Sequence, residues 1–378
     1  MRLGIPNEAA SGETRVAVAP DVLPKLQKLD LEVRIERGAG EASGFTDANY
    51  EAKGATMVDR AGVLECEMIA SLSPPDPDSM RDKQILVCMP DPLGQAARIN
   101  QLKEKGVSCI ALELMPRISR AQAMDVLSSM ANVAGYKAVL VAAARSPKLF
   151  PMMMTAAGTV RPAKCFVLGA GVAGLQAIAT ARRLGAVVEA YDIRAETQEQ
   201  VESLGARFVK FDLGTGDQQD AGGYAKELTA EQKKRQSLLM AEVIQAADIV
   251  ITTAQVPGRR APRLITEDVV DGMKPGAVVV DMAADSGGNC AYSQPGEEVM
   301  RGGVLILGPT NLPGQAATTS SQLYSNNVLN FLSHFLEEGK PKFDLEDEVI
   351  AGPLVCHEGR ITNERVEKAL AATEGAGS

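Results

Sequence analysis

The chain has only two histidines, His334 and His357, so chemistry that needs an imidazole has very few candidates. Its six cysteines (Cys66, Cys88, Cys109, Cys165, Cys290 and Cys356) are scattered, with no CxxC and no metal-ligand spacing. That argues against a metal site or a disulfide framework, and leaves reduced core thiols in strand-like runs, as in a cytosolic protein. A basic cluster is missing too. The 39 Lys+Arg stand against 48 Asp+Glu, a net charge of −9, which argues against a nucleic-acid partner. No apolar run approaches the roughly 18 to 20 residues needed to cross a bilayer. The start, Met1-Arg-Leu-Gly-Ile-Pro, reads as a first strand and not as a signal peptide. The expectation is a soluble chain.

What remains is a 378-residue sequence, 45% hydrophobic and 23% charged, with ample material for two cores. Its organising stretch is residues 164 to 192. An apolar run from Cys165 to Leu168 leads into Gly169-Ala170-Gly171-Val172-Ala173-Gly174, a small-residue helix, and a second apolar run ending at Asp192. Strand, glycine turn, helix and strand in that order make a dinucleotide-binding βαβ unit. Gly169 would allow the tight turn, Gly171 the approach of a pyrophosphate, and Gly174 close packing of helix on strand, with phosphates at the helix N-terminus. Asp192 stands where a carboxylate accepts both hydroxyls of the adenine-side ribose and repels a 2′-phosphate, which predicts NAD(H) over NADP(H). Ile193 and Arg194 follow it. Arg194 could hold a 2′-phosphate, or could lie over the adenine or in solvent.

In chain order, the first ~115 residues alternate short apolar runs with helical stretches, which implies a parallel sheet covered by helices. The runs Arg2 to Ile5, Leu31 to Glu36, Glu67 to Leu72, Gln84 to Met89 and Val107 to Leu114 read as strands. Ser119 with Gln122 three residues on reads as a capping box opening one long helix to about Arg145. Residues 150–163 read as a projecting hairpin whose Met152, Met153 and Met154 serve core or interface packing, a natural dimer contact. Residues 212–227 are polar and glycine-rich around Tyr224, either surface or a functional lid. The strand Asp248 to Thr252 is followed by Thr253, Ala254 and Gly258, cofactor candidates at the carboxyl edge of the second sheet. Thr318 to Leu336 reads as an amphipathic helix returning to the first domain. The predicted fold is therefore α/β: two doubly wound Rossmann-like domains with parallel sheets, separated by a cleft. The first comprises 1–126 with 318–378, and the second 127–317.

The run Met115 to Ser129, the hairpin PMMMTAAGTV, the glycine turn with its helix and the segment Ala221 to Glu227 together resemble the NAD(H)-binding component, domain I, of proton-translocating NAD(P) transhydrogenase. The resemblance runs along nearly the whole chain. It implies that Arg117, Gln122, Asp125 and Ser128 hold the nicotinamide and its ribose, that Tyr224 tips a mobile loop, and that the protein is a homodimer. It also implies direct hydride transfer from NADH here to NADP+ on a separate NADP(H)-binding component, coupled to proton movement by a membrane-spanning component. The chain would then lie at the cytoplasmic face of the inner membrane through its partner subunits, which would be separate polypeptides. Structural alternatives stay open for the same residues. Gln122 could only close the capping box, Arg117 and Asp125 could form an ion pair, and Ser128 could face solvent.

Two other functions compete. Alanine dehydrogenase belongs to the same superfamily, but its reaction moves protons as well as a hydride and so needs a positioned acid/base. That relative takes a histidine from the strand ending here in Val87-Cys-Met-Pro90, and a lysine from the region reading Ser71-Leu-Ser-Pro-Pro75; this sequence has neither. Arg15 and Asp285 match positions that the dehydrogenase uses. The third possibility is a silent NAD(H) sensor.

Overall fold

Short apolar runs bounded by glycine, proline and acidic residues set the strands, and longer stretches with one apolar face set the helices. The computed structural model describes residues 1–211, 229–255 and 258–375. They form two α/β units, 1–133 with 313–378, and 134–312.

The first unit opens with β1 (Arg2–Ile5), α1 (Leu23–Gln27), β2 (Glu32–Glu36), α2 (Asp47–Glu51), β3 (Thr56–Val58) and α3 (Arg60–Leu64). It continues with β4 (Met68–Ala70), β5 (Ile85–Cys88), α4 (Ala96–Glu104) and β6 (Ser108–Ala111). β4, β5 and β6 are buried at every position, as parallel strands covered on both faces must be. Side-chain caps fix two of the short helices: Thr46 and Asn49 form a capping box at α2, and Asp59 caps α3.

Helix α5 (Val126–Arg145) begins in the first unit and ends in the second. Val126 and Met130 belong to the first core, and Ala134, Ala138, Val139 and Ala142 to the second. At 20 residues, this helix is long and apolar enough to cross a membrane by length and composition. Ser128, Ser129, Asn132 and Lys137 interrupt its apolar residues, so the sequence shows no continuous run.

Next stands the hairpin β7 (Met153–Thr155) and β8 (Gly158–Val160), paired antiparallel. Met152, Met153 and Met154 are 60%, 43% and 75% exposed, which removes the core alternative for them within this chain. The second unit follows with β9 (Lys164–Leu168), α6 (Val172–Arg183), β10 (Val187–Tyr191), α7 (Thr197–Ser203) and β11 (Arg207–Phe208). After it come α8 (Ala230–Ala246), β12 (Ile249–Thr252), α9 (Glu267–Asp271), β13 (Val278–Asp281), β14 (Glu298–Arg301) and β15 (Val304–Leu307). The segment around Tyr224 lies outside the described residues.

The chain then re-enters the first unit through α10 (Ala317–Phe335), β16 (Leu336–Glu337), β17 (Lys340–Pro341), α11 (Glu348–Ala351), β18 (Leu354–His357), β19 (Arg360–Ile361) and α12 (Glu364–Gly375). Tyr324, Val328, Phe331, Leu332 and Phe335 form the buried stripe of α10, at the spacing of one helical face. The two sheets run β19-β18-β6-β5-β4-β1-β2-β3 and β11-β10-β9-β12-β13-β15-β14. Both are parallel-dominant rather than wholly parallel: β18 and β19 close the first, and β14 the second, in antiparallel pairing.

Candidate functional site

Strand order places the glycine turn. From β9 the second sheet grows outward through β10 and β11 on one side, and through β12 and β13 on the other. The carboxyl ends of β9 and β12 therefore flank a topological switch point, where ligands of doubly wound sheets sit. Gly169 leaves β9 at φ 99°, a left-handed backbone that glycine adopts without strain. Gly171 is the extended N-cap of α6, and no side chain caps that helix, which leaves its first N–H groups for an anion. A Cβ on Gly174 would stand 1.9 Å from the Gly169 carbonyl oxygen, so only glycine lets the helix sit this close to the turn. Ala170 is buried, Val172 is exposed and Ala173 is half-buried. The Ala173 carbonyl lies where a Cβ on Gly135 of α5 would come within 2.1 Å.

Across the switch point, the Thr253 hydroxyl donates to the Leu168 and Gly169 carbonyls at 3.2 Å each. Asn289 clamps Ala254: its amide oxygen accepts from the Ala254 N–H (3.1 Å) and its NH2 donates to the Ala254 and Pro262 carbonyls (2.9 and 2.8 Å). Beneath them Asp281, fully buried, accepts from Thr252 Oγ1, the Ala283 N–H and the Cys290 N–H at 2.9 to 3.0 Å. Gly258 holds φ 70°, while Val256 and Pro257 lie outside the described residues.

Asp192 directly follows β10, with a side chain only 7% exposed. It accepts from the Ala170 N–H (2.7 Å), the Arg194 N–H (2.9 Å) and two nitrogens of the Arg194 guanidinium (3.0 Å each). Burial alone would raise its pKa, but the guanidinium and the two N–H donors outweigh it and hold the carboxyl below its ordinary value. Arg194 therefore lies neither free in solvent nor turned away. It chelates the acid, with its guanidinium 4.0 Å from where a Cβ on Gly171 would be. Ile193, between them, is 85% exposed. An acid held ionised beside a turn that leaves no room for a Cβ at Gly169 or Gly174 fits the adenosine and pyrophosphate of a dinucleotide.

The remaining predicted residues lie in the first unit. Ser119–Met124 is a 3-10 helix, not the start of a long α-helix, and no side chain caps it. The capping-box reading is thereby corrected. Asp125 is extended (φ −75°, ψ 92°), and its carboxylate accepts from the Ser128 N–H (2.9 Å) and the Ser128 hydroxyl (2.6 Å), so the acid opens α5. Ser128 is half-buried in that contact. No ion pair joins Arg117 to Asp125 among the described residues, and Arg117 and Gln122 are exposed.

The first sheet has its own switch point, between β1 and β4. It has no glycine turn. Glu8, after β1, instead reaches the Leu72 and Ser73 N–H groups after β4 at 2.7 and 2.8 Å. Nearby Glu113 accepts the Asp91 N–H at 2.6 Å, and its other oxygen is buried with no partner among the described residues. Burial pushes both carboxyls up from 4.5 to about 7, against the pull of their N–H donors. A folded pKa above the unfolded one means that the unfolded chain releases protons first. Stability should therefore fall as pH rises from 4.5 to 7, by at most about 3 kcal/mol per group. Glu113→Gln keeps the bond to Asp91 and cannot ionise. Urea denaturation should find it about 1 to 3 kcal/mol more stable than the parent at pH 8, and equal to it at pH 4.

Sequence reasoning missed Gly135, Asn289 and Glu8. Nothing in the sequence pairs Asn289 with Ala254, or Glu8 with Leu72, because both contacts close loops of tens of residues. Among the described residues no group of three or more His, Cys, Asp or Glu is set to hold a metal.

Comparison with known proteins adds an independent line. The model of the alanine dehydrogenase/PNT N-terminal domain matches residues 4–134, and that of the C-terminal domain matches residues 138–364. The chain is 44% identical over 378 residues to an NAD(P) transhydrogenase subunit alpha chain of Rhodospirillum rubrum, covering 96% of this chain and 98% of that one. It is 30% identical to the alanine dehydrogenase of Mycolicibacterium smegmatis, over 98% of this chain and 97% of that one. Among solved structures, the transhydrogenase from Sinorhizobium meliloti superposes with a TM-score of 0.85 at 41% identity, over 96% of this chain and 99% of that one.

Proposed function

The chain belongs to the alanine dehydrogenase/PNT family, and from that premise we propose that it is the NAD(H)-binding component of a proton-translocating NAD(P) transhydrogenase, an oxidoreductase acting within a complex. The observation that carries this choice is the carboxyl edge of the first sheet. Where an amino-acid dehydrogenase needs an acid/base, β5 ends at Cys88 and continues into Met89-Pro90, and the chain after β4 is tied down by Glu8. Hydride transfer between two nicotinamides abstracts no proton, so it needs neither the histidine nor the lysine that this chain lacks. The greater identity to transhydrogenase than to alanine dehydrogenase points the same way.

In this reading the glycine turn and the α6 N-terminus receive the pyrophosphate, and Asp192 receives the adenine-side ribose. Thr253, Ala254 and Gly258 border the same edge. Arg117, Gln122, Asp125 and Ser128 hold the nicotinamide and its ribose. Bound NADH supplies the hydride. What these residues add is orientation at a near-attack distance (about 3 to 3.5 Å) and exclusion of water. The acceptor, NADP+, sits on a separate NADP(H)-binding component, and a membrane-spanning component couples transfer to proton movement. The chain is peripheral at the cytoplasmic face of the inner membrane through these partners. Assay of the purified chain with L-alanine and NAD+, and with pyruvate, ammonia and NADH, should give no turnover; turnover would replace this reading with the dehydrogenase.

The exposed methionines of the hairpin support a homodimer. Replacing Met153 and Met154 by aspartate puts charge on that apolar strand. Sedimentation at micromolar concentration should then find monomer where the parent is dimeric, with dimer affinity down roughly 100-fold or more.

A further inference from the structure

Gln122 lies in the 3-10 helix Ser119–Met124, which Arg117 precedes by two residues, and such a helix has poor internal hydrogen bonds and needs outside support to hold one shape. The structure supplies that support at Arg120, Ala121, Ala123 and Met124. Ala121 and Met124 are buried in the core. The Ala123 carbonyl accepts from Asn327 Nδ2 (2.8 Å) and Asn330 Nδ2 (3.2 Å), both on α10. Arg120 is held by Asp347 at 2.6 Å, with Glu348 farther off at 3.6 Å. Asp347 is itself fixed: its carboxylate accepts the Val349 N–H (3.0 Å) at the start of α11 and pairs with His334 Nε2 of α10 at 2.5 Å. Arg117 and Gln122 are exposed beside these anchors.

We propose that Arg120, Asp347 and Asn327 are positioning residues that clamp the Arg117–Asp125 segment to α10 and α11, so that Arg117 and Gln122 present one geometry to the nicotinamide. The inference rests on the functional reading above. None of the three touches the nucleotide. Their effect falls on ring orientation, whereas most nucleotide affinity comes from the second unit's turn.

The test uses the full chain, reconstituted with its NADP(H)-binding and membrane components, and compares parent, Arg120→Gln, Arg120→Lys and Asn327→Ala. Hydride transfer should fall roughly tenfold in Arg120→Gln and Asn327→Ala, since a shift of the order of 1 Å in a positioning group costs up to 100-fold. The NADH dissociation constant should stay within about threefold, because the pyrophosphate and adenosine contacts remain. Arg120→Lys, which can still reach Asp347, should recover most of the rate. Should Arg120→Gln fail to fold, Asn327→Ala, which leaves the ion pair intact, decides alone. Rates within twofold of the parent, or NADH affinity falling in step with rate, would overturn the clamp. A parent that transfers no hydride would overturn the functional reading, and the clamp with it.

Discussion

Gly174→Ala should destabilise the second unit by about 3 kcal/mol and abolish measurable NADH binding. The added methyl would lie 1.9 Å from the Gly169 carbonyl oxygen and 2.8 Å from its carbon, and both are backbone. Flexible side chains can turn aside from an intruding atom; this carbonyl cannot. Gly169 is held at φ 99° with its N–H on the Tyr191 carbonyl (2.8 Å), and its own carbonyl receives the Thr253 hydroxyl. Relief therefore means moving α6 off the turn. Overpacking in cores costs about 1 to 3 kcal/mol, and a clash of backbone on backbone belongs at the upper end. The same movement takes the α6 N–H groups away from a pyrophosphate. Urea denaturation and NADH fluorescence titration would check both parts. A variant of unchanged stability would mean that the turn relaxes more readily than its geometry indicates.

Asp192→Asn should weaken NADH binding about 10- to 100-fold, the ~1.5 to 3 kcal/mol of hydrogen bonds to a charged group, and narrow the preference for NADH over NADPH. The amide oxygen can still accept the Ala170 N–H, so the turn should persist. Two things change. The ribose hydroxyls lose a charged acceptor, and Arg194 loses its bidentate partner. A guanidinium freed beside the glycine turn is then available to a 2′-phosphate, which the parent's carboxylate repels. Parallel titrations with NADH and NADPH read both effects. Unchanged discrimination would count against Asp192 as the residue that selects the nucleotide.

Much of this architecture was legible in the sequence because its signals are local. Cys165 to Leu168, the glycine turn and the run ending at Asp192 state a βαβ unit within 29 residues, and the structure forms it as β9, α6 and β10. Short, weakly patterned elements were not legible. Thr56–Val58 has one buried residue of three and Arg60–Leu64 is little more than one helical turn, so neither rises above a loop in composition. β18 joins the first sheet from the far end of the chain, across a sequence separation that no periodicity reports.

The candidate site divides along the same line. Glycines and the acid at the end of a strand can be read directly, since the backbone conformation demands them. The capping box failed because Ser119 and Asp125 both precede plausible helix starts, and only the fold decides between them. Asp125 prevails because its carboxylate meets both the N–H and the hydroxyl of Ser128. The chelation of Asp192 by Arg194 is two residues long, yet the sequence left Arg194 three possible places. Asn289 and Asp347 act across folded distance, where sequence gives no hint.

In the proposed function this chain donates or accepts a hydride only against a partner-bound nucleotide. The most direct measurement is reduction of an NAD+ analogue, acetylpyridine adenine dinucleotide, by NADH on the purified chain, with and without an NADP(H)-binding component preloaded with NADPH. Turnover is expected only when that component is present. Nucleotide binding without transfer in its presence, or turnover with L-alanine in its absence, would contradict it.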